Sequence, residues 1–205
     1  MIGYSDATAL LIDLSLRSNL VTFHGPMLYD LRGQPDRLTW RSFEEVLCKK
    51  GTLIFDQSST QNCKVLRAGR GDGPIVGGNL SLLVNLIGTP SDFQTDGRIL
   101  FIEDVDERLY ALDRLLLHMS RANRLKGLNG LLVGQLGNIS DDEIPFGQTF
   151  DEMIQFYCSE YSFPIISGCP FGHGAENVTI PIGVHGELDA SDSDFSLRLS
   201  AAAVN

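Results

Sequence analysis

The sequence predicts an α/β chain, with a βα unit at its N-terminus followed by a mixed α/β unit rich in short strands. Three observations predict this. Apolar residues recur at helical spacing in two stretches, at Ala7, Leu10, Leu11 and Leu14 and at Val105, Leu109, Leu112, Leu116 and Met119. Short apolar runs such as "GRILFIED" (97–104) and "GLNGLLVGQL" (127–136) stand between the helical patterns and read as buried strands. Finally, 21 glycines, many of them clustered, suit a fold of short elements and tight connections.

The elements follow in order. Met1–Gly3 reads as the end of a strand, and Asp6 is placed to cap the helix that starts at Ala7. "NLVTFHGPM" (19–27) is a short β run stopped by Gly-Pro, and "TWRSFEEVLCK" (39–49) is a helix with Thr39 or Ser42 as its cap. "GTLIFDQ" (51–57) and "NCKVLRAG" (62–69) read as antiparallel strands, and "GRGDGPIVGG" (69–78) as strand-connecting turns. A helix over 79–89 and the strand over 97–104 come next. The strongest helical pattern covers 105–123, with Asp104 as cap and Asp106 and Glu107 in its first turn. A strand at 127–136, a helix at 149–162 and a strand at 163–174 follow, and short strands at 177–183, 185–191 and 194–200 read as a β-meander. Residues 1–48 form the first unit, 49–62 a linker and 63–205 the second unit.

Composition limits the function. The chain has 205 residues, 43% of them hydrophobic, and a mean hydropathy near zero, as in an ordinary globular protein. Its 16 Lys and Arg against 26 Asp and Glu leave a net charge of −10, which excludes the basic footprint of a nucleic-acid binder. No apolar run approaches the roughly 20 residues of a membrane span, and no secretion signal opens the chain. Cys48, Cys63, Cys158 and Cys169 lack CxxC spacing and read as free thiols in a reducing compartment, so a cytoplasmic location is expected. No Cys/His/Asp cluster has metal-ligand spacing, so neither a metal nor another cofactor is expected. The Gly-rich stretch lacks both the GK[ST] ending of a phosphate loop and GxGxxG, and its RGD is read as chance.

Three positions suggest chemistry. Ser5 sits on a strand-to-helix turn, two residues after Gly3, where a hydroxyl is exposed and helix-start amides can hold an oxyanion. Ala7 replaces the second glycine of a nucleophile elbow, and spacing alone leaves open whether Ser5 is a nucleophile or a cap. Glu103 ends a buried strand, where functional side chains of α/β sheets collect, and glutamate is a weak cap. His173 lies between glycines in "CPFGHG", which leaves its imidazole uncrowded. His24, in "FHGPM", is a second candidate, but its place after a β run reads more as a core or structural histidine hydrogen-bonded to backbone. His118, in a helix, and His185, in the meander, suggest no chemistry. Serine, histidine and carboxylate from three distant segments could form a triad.

The stretches "IGYSDATALL", "HGPM", "GPIVGGNLSLLVNLIGTP", "DGRILFIEDVDERLYALDRLL", "GLLVGQL" and "FGHGAENVTIPIG" together resemble the serine LD-carboxypeptidase family, which includes muramoyltetrapeptide carboxypeptidases and microcin-immunity peptidases. They stand in the family's order and cover nearly the whole chain. The resemblance implies that Ser5 is the nucleophile, Glu103 the carboxylate, His173 the proton carrier and the Asp6 amide half of the oxyanion hole. It implies a partial Rossmann-like N-terminal unit carrying the serine, a C-terminal unit carrying Glu103 and His173, and a homodimer. The implied reaction is release of terminal D-alanine from a muropeptide tetrapeptide in peptidoglycan recycling. The alternatives are cleavage of a peptidyl-nucleotide amide, which calls for a stacking aromatic (Trp40 is the only tryptophan), and a binding-only homologue. Arg67, Arg70 and Arg98 are the basic residues considered for the substrate carboxylate.

Family members carry a sizeable stretch before the GxSD turn, which holds the first strands of the sheet and the other oxyanion-hole amide. This chain begins at the turn. It is therefore expected to be a fragment or truncated, or to take those strands from elsewhere, and to be weak or inactive on its own.

Overall fold

A computed structural model of the chain describes residues 1–32, 37–48, 52–60, 62–141 and 143–204. Seventeen elements follow one another along these residues: β1 (Ile2–Gly3), α1 (Ala7–Ser18), β2 (Thr22–His24), α2 (Leu28–Leu31), α3 (Arg37–Cys48), β3 (Leu53–Asp56), β4 (Lys64–Arg67), β5 (Gly69–Asn79), α4 (Leu80–Leu86), β6 (Ile99–Val105), α5 (Leu109–Arg121), β7 (Gly130–Gly137), α6 (Phe150–Tyr157), β8 (Ile165–Gly172), β9 (Ile180–Ile182), β10 (His185–Ala190) and β11 (Phe195–Leu199). The chain is α/β, as its sequence predicts.

An eight-stranded sheet has the order β3-β11-β10-β5-β6-β7-β8-β4. Its centre, β5 to β8, is parallel, each strand joined to the next through a helix, while β3, β11, β10 and β4 run antiparallel to their neighbours. Ile75, Ile99, Leu100, Phe101, Leu131, Leu132, Ile165 and Ile166 are all fully buried, as expected of parallel strands covered on both faces. A second sheet, β1-β2-β9, pairs β1 with β2 in parallel and β2 with β9 antiparallel.

Several elements differ from their sequence reading. "GRGDGPIVGG" is the core of β5, the longest strand, rather than turns. Its glycines mark close packing: a Cβ on Gly78, whose φ is +149°, would lie 2.5 Å from Thr8 Cγ2, so the missing side chain lets α1 dock on β5. The two strands at 51–57 and 62–69 do not pair with each other; β3 and β4 lie at opposite edges of the sheet. β3 also falls inside the expected linker, of which residues 49–51 and 61 lie outside the described residues. β9 leaves the meander and pairs with β2.

Helix starts moved for local reasons. α5 begins at Leu109, because Asp106 takes a left-handed turn (φ 58°) and Arg108 occupies the N-cap. Asp104 stays in β6 and accepts from Ser81 N in the first turn of α4 instead. Asp6 holds the N-cap position of α1 without a side-chain capping bond. Thr39 and Ser42 are interior to α3, where Thr39 Oγ1 accepts from Asn177 N (2.8 Å) and Ser42 Oγ from Thr179 N (3.1 Å). Among the described residues, no helix is long and apolar enough to cross a membrane.

Candidate active site

Glu103 is placed by β6 and His173 by the end of β8, two strands away. The strands between them carry register shifts near these ends. β7 advances three residues while β6 advances two, between Ile102 and Asp104, and β8 advances three while β7 advances one. Such bulges re-aim side chains at strand ends. Gly172 completes the arrangement: its φ is +107°, and a Cβ there would sit 2.9 Å from Glu103 Cβ. The backbone therefore passes directly over the glutamate and delivers His173 to it. Asn177 Oδ1 accepts from Gly172 N (3.3 Å) and holds the loop.

The result is a Glu–His pair. His173 Nδ1 lies 2.7 Å from Glu103 Oε2. The Glu103 side chain is fully buried and that of His173 is 17% exposed. Burial pushes the Glu103 carboxyl up from its ordinary value, and the His173 bond pulls it partly back. The same bond raises the His173 pKa, against a smaller opposing effect of burial. The pair therefore favours Nδ1–H directed at Glu103 and stabilises the imidazolium. Glu103 Oε1 is buried with no hydrogen-bond partner among the described residues.

The Ser5 turn approaches this pair from the other sheet, and its flanking residues mark where it lies. The Tyr4 ring meets the His173 ring edge-to-face, with centroids 4.9 Å apart, and Tyr4 OH donates to Asp30 Oδ1 (3.3 Å). Thr8 Oγ1 accepts from Asn79 N (3.0 Å), and Asn79 is the register partner of Glu103. Ser5 is half-buried with φ 59°, a left-handed conformation that costs a non-glycine residue energy. Among the described residues, its hydroxyl caps no helix amide and no hydrogen bond joins it to His173. Ala7 N and Thr8 N close onto Tyr4 O and Ser5 O, whereas the Asp6 amide has no acceptor among the described residues.

The neighbouring acid does different work. Asp104 accepts from Asn79 Nδ2 (2.9 Å), Ser81 N (3.0 Å), Ser81 Oγ (2.8 Å) and Val105 N (2.9 Å). Asn79 in turn caps α4 through Leu82 N. Asp104 thereby fixes the start of α4 beside the site.

His24 forms the floor. It is fully buried, and its ring lies 5.2 Å from that of Phe101, 6.1 Å from Phe171 and 6.3 Å from Tyr4, centroid to centroid. It is a core histidine, as its sequence context predicts, but the expected backbone hydrogen bond is absent: among the described residues neither ring nitrogen has a partner. Burial in this apolar ring cluster pushes its pKa down to about 3.

The basic residues considered for the substrate lie elsewhere. Arg67 Nη2 donates to Cys158 O, and Arg70 pairs with Asp189. Both, like Arg98 just before β6, are near the N-terminal ends of the parallel strands, away from Glu103 and His173. Sequence reasoning singles out His24 as a second candidate histidine but misses Tyr4 and Asn79 as parts of the site. Tyr4 is within reach of the sequence, since it stands in the same turn as Ser5; Asn79 depends on which strands become neighbours.

A strained serine turn beside a buried Glu–His pair, at the C-terminal ends of parallel strands, defines an α/β protein with a site where the functional side chains of such sheets collect. The family model for the LD-carboxypeptidase C-terminal domain matches residues 72–188, and the chain belongs to that family. It is 32% identical over 192 residues to the "Probable murein peptide carboxypeptidase" of Bacillus subtilis, covering 93% of this chain and 60% of the relative. It is 26% identical to the "Microcin C7 self-immunity protein MccF" of Escherichia coli, covering 96% of this chain and 64% of that one. The crystal structure of muramoyltetrapeptide carboxypeptidase from Oxalobacter formigenes superposes with a TM-score of 0.82 at 29% identity, over 97% of this chain and 67% of the other. The chain thus spans about three fifths of the length of the curated relatives it matches.

Proposed function

We propose that this protein is a serine peptidase that cleaves the L,D-amide bond of a muropeptide tetrapeptide and releases its terminal D-alanine. The observation that carries the reading is the buried 2.7 Å Glu103–His173 contact beside the Tyr4–Ser5 turn. The names of the relatives, murein peptide and muramoyltetrapeptide carboxypeptidases, support the substrate class.

Each residue has one role. Ser5 Oγ attacks the carbonyl of the penultimate residue. With Nδ1 engaged by Glu103, His173 uses Nε2 to take the serine proton and then hands it to the departing D-alanine amine. Glu103 holds the imidazole tautomer and stabilises the cation formed in that step. The unengaged Asp6 amide receives the oxyanion. Water activated by His173 then hydrolyses the acyl-enzyme. On this reading residues 1–48 belong to the nucleophile-bearing unit and 63–205 to the unit bearing Glu103 and His173, and the working protein is a cytoplasmic homodimer. The peptidyl-nucleotide alternative gains nothing from Trp40, which stacks on Phe43 of its own helix.

The test is D-alanine release from an L,D-tetrapeptide by the purified protein and its Ser5→Ala variant. The variant is expected to lose a factor of about 10⁴–10⁶ in kcat. Measurable D-alanine release that is equal in the two proteins removes Ser5 from the mechanism. Binding of the tetrapeptide without release by either protein favours the binding-only alternative.

A further inference from the structure

We propose that the cleft lined by Arg37, Leu38, Arg41, Ser59 and Glu176 is a carboxylate-binding site for an acidic group of the peptide substrate. The inference rests on the peptidase reading above and adds to it how an acidic peptide is held.

The cleft has a volume of about 440 Å³. Arg37 and Arg41 stand one turn apart on α3 and so share a helix face. Among the described residues neither forms an ion pair, although the chain carries an excess of ten negative charges. Several other arginines are engaged: Arg17, Arg70 and Arg124 pair with carboxylates, and Arg67 bonds a backbone carbonyl. Arg41 is half-buried, and its Nε is buried without a hydrogen-bond partner among the described residues. The remaining N–H groups of this half-buried guanidinium, fixed on a cleft wall without an acidic partner among the described residues, form a fork suited to an oxyanion. Ser59 adds a hydroxyl to the same wall.

The cleft is coupled to the Glu–His pair. Thr39 and Ser42 of α3 accept the amides of Asn177 and Thr179, and Asn177 holds the Gly172 amide beside His173. Glu176, three residues after His173, is the wall shared with a larger cleft of about 750 Å³ that includes Gln135 and Leu136 at the end of β7. A peptide lying along both clefts passes Glu176 and reaches Arg41. Glu176 takes part in an interaction of its own. Its charge disfavours a bare small anion and suits an acid delivered on a peptide whose amide N–H groups can face it.

Guanidinium forks also bind phosphate, so the test carries both oxyanions. Ser5→Ala protein, with and without Arg41→Gln, is titrated calorimetrically with three probes. These are a D-alanine-terminated tetrapeptide bearing a side-chain carboxylate, the same peptide as its side-chain carboxamide, and adenosine monophosphate. The acidic peptide is expected to bind the arginine-containing protein about tenfold more tightly than the carboxamide, and Arg41→Gln to erase that difference. Arg41→Lys is expected to restore only part of it, because an ammonium lacks the planar fork. Thermal melting checks that the variants fold, and Arg37→Gln provides a second, more exposed probe. Equal binding of acid and carboxamide, or equal weakening of both by Arg41→Gln, overturns the site. Arg41-dependent binding of the nucleotide in preference to the acidic peptide assigns the cleft to phosphate and also overturns it. D-alanine release by the Ser5 protein with Arg41-independent binding sinks the site alone. Arg41-dependent binding without release keeps the site and favours the binding-only alternative over the peptidase reading.

Discussion

Acidification below pH 6.5 is expected to destabilise this protein through His24. The unfolded histidine takes up a proton near 6.5, whereas in the fold burial holds the group neutral down to about 3. In that window the unfolded state binds one more proton than the folded state, so stability falls as pH falls, by about 1.4 kcal/mol per pH unit. From pH 6.5 to 4.5 the loss is about 3 kcal/mol, and across the whole window about 5 kcal/mol. Domain stabilities are of order 5–15 kcal/mol, so this one side chain can decide whether the fold survives at pH 4. Two other groups have the opposite sign. The raised His173 contributes stability that is present below pH 6.5 and lost as pH rises through its folded pKa, a window that does not overlap. The raised Glu103 holds its proton longer in the fold, so between 4.5 and its folded pKa it makes stability fall as pH rises and offsets part of the His24 effect.

Comparison with His24→Leu isolates the histidine, because Glu103 contributes to both proteins. Urea unfolding followed by circular dichroism at pH 7.0, 5.5 and 4.5 gives the two curves. The variant loses ring contacts with Phe101, Phe171 and Tyr4 but also loses two buried unpartnered nitrogens, so near pH 7 the two effects oppose one another. The expected signature is the slope: between pH 6.5 and 4.5 the variant should lose about 3 kcal/mol less than the natural protein. Parallel stability curves would show that His24 titrates normally or that acid opens the site before the global fold, and either refutes the reasoning.

Two further outcomes follow from the adjacent acids. Glu103→Gln removes the largest cause of the raised His173 pKa, so under the proposed mechanism kcat/KM should fall by about 10⁴ and its acidic limb should move to lower pH, read from D-alanine release across a pH series. Asp104→Ala leaves Asn79 Nδ2 and Ser81 N without their acceptor and Ser81 Oγ with only its 3.4 Å bond to Glu107 Oε1, and should cost about 2–4 kcal/mol in urea unfolding, a loss that Asp104→Asn recovers in part.

What the sequence made legible was decided by range. The α/β class, α1, the strand at Ile99–Val105 and the helix after it follow from local periodicity. β5 was misread because glycine normally signals turns, and only the approach of α1 explains why Gly78 must lack a side chain. Glu103 and His173 stood out through strand-end and Gly-flanked context, yet their contact depends on β6, β7 and β8 lying in that order with bulges between them, which no local pattern encodes. Thr39 and Ser42 looked like caps because hydroxyls near a helix start usually are. They instead receive amides from residues 138 and 137 positions away.

The Glu103–Asp104 pair shows how closely the chemistry is tied to strand geometry. Successive side chains of a strand point to opposite faces. Glu103 faces the side of Phe101 and His173 and makes a single hydrogen bond, leaving Oε1 unpartnered. Asp104 faces α4, where four donors satisfy it. One acid is thus held by few bonds in an apolar setting that polarises the imidazole, and its neighbour is saturated and structural. A one-residue slip of β6 would exchange the two, placing the shorter aspartate under His173 and the glutamate against α4. The register between Asn79 and Glu103, fixed by five consecutive parallel pairs from Ile75 and Ile99 onward, therefore sets which carboxylate meets the histidine and which one anchors the helix beside it.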